Sequence, residues 1–100
     1  MKVRLSDEAR ADMLRIDTWW RENRPYAPDL FGEEIITVLE LLATAPEAGE
    51  TYRKIGGEAV RRTLLPKTRH YAYHHVQQDE VIVLAVWSTL RGEGPPLPPR

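Results

Sequence analysis

The stretch that decides the fold reads Val60-Arg-Arg-Thr-Leu-Leu-Pro-Lys-Thr-Arg-His-Tyr-Ala-Tyr-His-His-Val76, followed by Asp79-Glu-Val-Ile-Val-Leu-Ala-Val-Trp87. Three segments of strand character, Val60–Leu65, His70–Val76 and Val81–Trp87, are separated by Pro66-Lys67-Thr68 and Gln77-Gln78-Asp79-Glu80. Connections of that length favour hairpins, so the spacing predicts an antiparallel meander. Val81–Trp87 is apolar at every position, which predicts a central strand covered on both faces. Cationic and aromatic side chains crowd the other two strands.

Upstream, Lys2–Leu5 alternates, with Val3 and Leu5 on one side, and reads as a short first strand. Ser6 is a suitable N-cap, and Asp7 and Glu8 fall in a first helical turn, where the helix dipole favours negative charge. Ala9, Met13, Ile16 and Trp20 then recur at helical spacing up to about residue 23. Arg24-Pro25 stops that helix, because the residue before proline avoids the α region. A second helix is expected from Pro28 or Asp29, with Phe31, Ile35, Val38, Leu39 and Leu42 as its stripe and Pro46 as its end. Residues 47–59 read as loop, with a brief extended piece at Tyr52–Ile55. The fold class is therefore α+β, a helical hairpin laid on one face of a small, mostly antiparallel sheet. Residues 1–92 form one domain, and 93–100 a proline-rich tail without regular structure.

One hundred residues with 42% hydrophobic content suffice for a single modest core. The longest purely apolar run, Val81–Trp87, is far short of the roughly 20 residues that span a bilayer. No membrane contact is expected. Met1–Glu8 becomes charged at once and lacks the apolar stretch of a secretory signal. The chain has no cysteine, which removes disulfides, thiolate metal sites and thiol nucleophiles and fits a cytoplasmic setting. Net charge is −1 but uneven: residues 1–50 carry six Lys/Arg against eleven Asp/Glu, and residues 51–100 eight against four. The resulting −5 and +4 halves suggest a cationic surface that meets an anionic partner.

Among residues that could carry chemistry, alternation puts Tyr71, Tyr73 and His75 on one side of a strand and His70, Ala72, His74 and Val76 on the other. Histidine suits acid–base work near neutrality. His70 and His74 lie about 13–14 Å apart at roughly 3.4 Å per residue, too far to share an ion. No metal site and no cofactor is expected. Arg61, Arg62, Lys67 and Arg69, with Arg53 and Lys54 nearby, supply the cations. Together with the aromatics they fit single-stranded RNA, an acidic protein segment, or simply a charged sheet edge kept from aggregating. Trp19 lies at the margin of the first helical stripe, and Trp87 ends the central strand.

The order of these elements resembles the RelE/ParE toxins of bacterial type II toxin–antitoxin systems over residues 1–92. The resemblance rests on Val3–Asp12, the meander Val60–Val76, and Val81–Trp87 followed by Arg91-Gly92. It implies one of two mechanisms. RelE-like members cut mRNA on the ribosome, using an arginine on the third strand, another after the last strand, and an aromatic near the C-terminus. ParE-like members instead poison DNA gyrase by protein contact. By position, Arg91 matches the arginine after the last strand, whereas the third-strand arginine falls at Tyr71 and the aromatic at Leu97; no aromatic follows Trp87.

The departures favour a ParE-like gyrase inhibitor without catalysis of its own, with Arg61, Arg62, Arg69, Tyr73, Trp87, Arg91 and the proline-rich tail facing the target. The alternative is a ribosome-dependent mRNA endonuclease working through Arg61, Arg62, Arg91, His74 and His75. A third reading is a non-toxic binding or regulatory member of the fold. The resemblance also implies a cognate ParD-like antitoxin, held in a hetero-oligomer, with Trp19, Phe31, Ile35 and Val38 as its anchor surface.

Overall fold

A computed structural model describes residues 1–97. The elements are β1 (Lys2–Leu5), α1 (Asp7–Asn23), α2 (Leu30–Thr44), β2 (Glu50–Ile55), β3 (Glu58–Leu65), β4 (His70–Gln77) and β5 (Glu80–Ser88). They form one five-stranded sheet of order β1-β5-β4-β3-β2, antiparallel except where β1 runs parallel to β5. The expected fold is found, with one addition. The brief extended piece at Tyr52–Ile55 is a full edge strand, so the meander has four strands rather than three.

Each helix forms and stops for local reasons. The Ser6 hydroxyl accepts from the Ala9 N–H at 3.0 Å and so satisfies one of the free donors at the start of α1. Arg24 closes its far end through an N–H bonded to the Trp20 carbonyl. The second helix begins two residues later than Pro28, with Asp29 as N-cap; that side chain makes no capping bond and pairs instead with Arg21 at 2.9 Å. Both helices pack on the same face of the sheet. Ala9, Ile16, Phe31, Ile35, Val38 and Leu42 meet Leu65, Ala72, Val81, Val83 and Val86 in the main core. Burying a side chain the size of Phe31 or Leu42 contributes about 1.5–3 kcal/mol.

Strand β5, between β1 and β4, carries a bulge. Tyr73 faces Ala85 and His74 faces Val83, so Leu84 is an extra residue with no partner on β4. The extra residue resets the alternation. Val81, Val83 and Val86 all reach the helix side, while Ile82, Leu84 and Ala85 reach the other. On its second edge β5 is paired with β1 only as far as Val83. Beyond that point α1 takes over: Ser6 donates to the Leu84 carbonyl at 3.2 Å, and Asp12 accepts from the Val86 N–H at 3.0 Å. The helix thus stands in for a missing strand, because a buried amide without a partner is costly.

Two turns are fixed by equally specific contacts. Glu34, on α2, accepts from the Lys67 and Thr68 amides and the Thr68 hydroxyl at 2.8, 3.0 and 2.7 Å, which ties the β3–β4 turn to the helical layer. Gly49, just before β2, has φ +85° and passes directly over β3; a Cβ there would lie 2.3 Å from the Arg62 carbonyl oxygen. Gly49→Ala is therefore expected to cost about 1–3 kcal/mol from backbone conformation alone, and more from the contact. Chemical denaturation measures it, and an unchanged midpoint would contradict this account of the β2–β3 pairing.

Candidate functional site

The sheet face opposite the helices carries a second, smaller cluster of Val60, Tyr73, Ile82, Leu84 and Ala85, with Tyr52, Ile55, Tyr71, Trp87 and Leu97 packed against it. At one end of this face lies a cavity of about 190 Å³ whose walls include Tyr52, Arg62, Tyr71, Tyr73, Trp87 and Arg91. Strand register builds it. Arg62 lies opposite Tyr73, and Tyr71 lies opposite Trp87, so cations and rings alternate across three adjacent strands. The Arg62 guanidinium sits 4.1 Å from the Tyr71 ring centre and 5.1 Å from that of Tyr52, and Arg91 sits 4.2 Å from the Trp87 ring. Tyr52 meets Tyr73 edge-on at 4.9 Å. Each such cation–ring contact is worth about 0.5–2 kcal/mol, depending on how dry it is.

Burial works against the charge on Arg62, but its bond to Glu50 at 2.7 Å, with Tyr73 and Tyr71 alongside, raises its pKa on balance. Burial likewise raises the Tyr73 phenol, with Arg62 pulling the other way. The face thus offers fixed cations and neutral rings. It can stack on flat groups, accept acidic ones and donate hydrogen bonds.

The other residues singled out from sequence lie elsewhere. Arg61, next to Arg62 on β3, projects from the opposite side of that strand, where it bonds the Gly49 carbonyl at 3.3 Å and approaches Glu47 at 3.4 Å. Arg69, with φ +66°, lies in the β3–β4 turn on a groove of about 530 Å³ between α1 and the sheet. That groove also holds Trp19, Trp20, Arg24 and His70. Trp19 is 45% exposed, with Arg24 4.7 Å over its ring. The remaining proposed anchors need correction. Phe31, Ile35 and Val38 are 1, 3 and 6% exposed because they face this chain's own core; the exposed apolar residues of α2 are Ile36 and Leu41.

The histidines also separate. His74 is fully buried, with Nε2 2.9 Å from the Pro46 carbonyl, which makes that nitrogen the donor in a neutral ring. His70 packs edge-on against Phe31 at 5.6 Å. His75 points toward Glu58, 3.6 Å away. His74, an acid–base candidate in the sequence reading, therefore has no surface from which to reach a substrate. Among the described residues, no group of three His, Asp or Glu side chains could hold a metal ion, and no helix is long and apolar enough to cross a membrane.

Residues 3–92 match the model of the ParE toxin of the type II toxin–antitoxin system parDE. The chain belongs to the ParE toxin family. Among solved structures, one described as the chromosomal ParDE TA system from P. aeruginosa aligns with a TM-score of 0.68. It covers 88% of this chain and 95% of that one at 18% identity, a likeness of fold. No curated protein matches. The toxin's cationic–aromatic face was only partly legible beforehand: Tyr52 and Tyr71 were missed as members, although alternation along β4 already put Tyr71 beside Tyr73.

Burial lowers the pKa of His74 and of His70 from the ordinary 6.5, against the pull of the Pro46 carbonyl at His74 and of a Thr68 backbone group at His70. Below about pH 6.5 the unfolded toxin takes up protons that the folded one refuses, so stability falls as pH drops from 6.5 through the lower folded values. Thermal unfolding from about pH 7.5 to 5.5 is expected to show this decline. His74→Gln should start about 1–3 kcal/mol less stable and show a shallower dependence. An equal slope in both proteins would assign the decline to other groups.

Proposed function

We propose that this ParE-family toxin arrests growth by binding DNA gyrase through the Arg62–Tyr71–Trp87–Arg91 face, without catalysis of its own, and that a cognate ParD-like antitoxin neutralises it. The observation that carries the reading is the separation of the groups a nuclease would need. Arg62 and Arg91 line the open face, whereas Arg61 and His75 line a different pocket beside Pro46 and Glu47, with His74 fully buried beneath it. Cleaving RNA at a 2′-hydroxyl needs a base, an acid and phosphate-binding cations converging within hydrogen-bond reach of one another. What converges instead is a set of stacked rings and fixed cations, the composition that dominates protein-binding hot spots. The groove beside Trp19, with Arg24, Lys67 and Arg69 on its rim, suits an acidic amphipathic antitoxin segment.

Supercoiling by purified gyrase tests the reading. The toxin should inhibit it with accumulation of cleaved DNA, and antitoxin should restore it. Arg91→Ala and Trp87→Ala should each raise the inhibitory concentration, by about thirtyfold where the residue is a hot spot, and Trp19→Ala should demand more antitoxin for rescue. No inhibition at excess toxin, or cleavage of mRNA on programmed ribosomes that Arg91→Ala abolishes, would overturn it.

A further inference from the structure

A sheet with helices on one side only leaves its other face to be covered by something else. Here Val60, Tyr73, Ile82, Leu84 and Ala85 are buried although no helix touches them. Part of the cover is the segment after β5. The Glu93 carbonyl accepts from the Trp87 indole N–H at 2.9 Å. Gly94 then crosses Tyr52 so closely that a Cβ there would lie 2.2 Å from the phenol oxygen. Pro95 is buried, and Leu97 packs on the aromatic cluster. This segment has no regular secondary structure, and among the described residues no backbone–backbone bond joins 92–97 to the sheet. Side-chain chemistry alone holds it: an indole donor, a proline, an aliphatic anchor, and rings beneath.

That is the chemistry by which aromatic-lined grooves take proline-rich segments. The ligand is extended beforehand and loses little entropy on docking, its carbonyls find no donor within their own segment, and an indole N–H supplies one. We propose that the open sheet face is a recognition groove for extended, proline-containing peptide segments, occupied in cis by the toxin's own Glu93-Gly94-Pro95-Pro96-Leu97. The cations at its end favour a segment with an acidic residue ahead of its prolines, as Glu93 stands ahead of Pro95. The groove is therefore available to a second proline-rich chain only when the cis segment is lifted. A tethered segment competes at a millimolar effective concentration, so it masks the groove from weak competitors and yields to strong ones.

The inference is independent of the gyrase reading, because its probe is a peptide alone. A fluorescent peptide with the sequence Arg91–Arg100 is titrated into the full-length toxin and into its Gly94→Val variant, with binding followed by anisotropy. A valine at position 94 forces the segment or the Tyr52 phenol to shift, so the variant's own segment sits less firmly on the groove while the peptide, with glycine, still fits. Binding should be about tenfold tighter or more to Gly94→Val than to the parent, and a peptide with both central prolines changed to alanine should bind markedly more weakly. Leu97→Asp, which frees the segment from its other end without touching the groove, should unmask it in the same way. Absence of saturable binding to both variants, or equal affinity for parent and variants, would overturn the proposal.

Discussion

The extra residue in β5, and the helix that supports it, is the constraint on which the rest of the structure depends. With Leu84 inserted opposite β4, the alternation of β5 changes phase between Val83 and Val86. Without that shift, Val86 and Trp87 would exchange faces. Val86 would leave the main core, and the indole would enter the helical layer. The insertion is tolerable because Ser6 and Asp12 bond Leu84 and Val86 at the edge that β1 has left. An N-cap and one carboxylate in the first turns of α1 thereby set which way Trp87 points.

From that placement the two faces acquire different characters. The helix side is closed by the toxin's own aliphatic residues, with His74 bonded to Pro46 and His70 against Phe31. The opposite side is thin and aromatic. It is crossed by strand-borne cations and by a short segment held through its side-chain contacts. Chemistry that requires a buried, dry acid–base pair has no place there. Stacking, carbonyl capture and charge pairing do.

Much of the fold could be read from the chain because each signal had a single physical cause. Ser6 with Asp7 and Glu8 started α1, Arg24-Pro25 ended it, and the hairpin spacings of 60–87 fixed the antiparallel order. The edge strand β2 was less legible. In Glu50-Thr-Tyr-Arg-Lys-Ile only Tyr52 and Ile55 are partly covered, three residues apart, because a register shift between Thr51 and Arg53 breaks the alternation. The bulge was invisible for the opposite reason: a strand apolar at every position carries no phase to be read. By adjacency Arg61 and Arg62 read as one cationic group, yet neighbours on a strand face opposite ways. The stripe Phe31, Ile35, Val38 showed that a face of α2 is buried but not by what, and the sheet claims it. The tail, expected from its prolines to lack regular structure, does lack it as far as Leu97 yet packs on the sheet; residues 98–100 lie outside the described part.

Residue-resolved amide hydrogen exchange at Val86 tests this account most directly. Its N–H has no strand partner on the β1 side and relies on Asp12 alone. If the helix replaces the missing strand, Val86 exchanges as slowly as the laddered core amides of β5. Exchange at the rate of the exposed Gln78–Asp79 turn would mean that the bulge is not held by α1 and that the orientation of Trp87 has another origin.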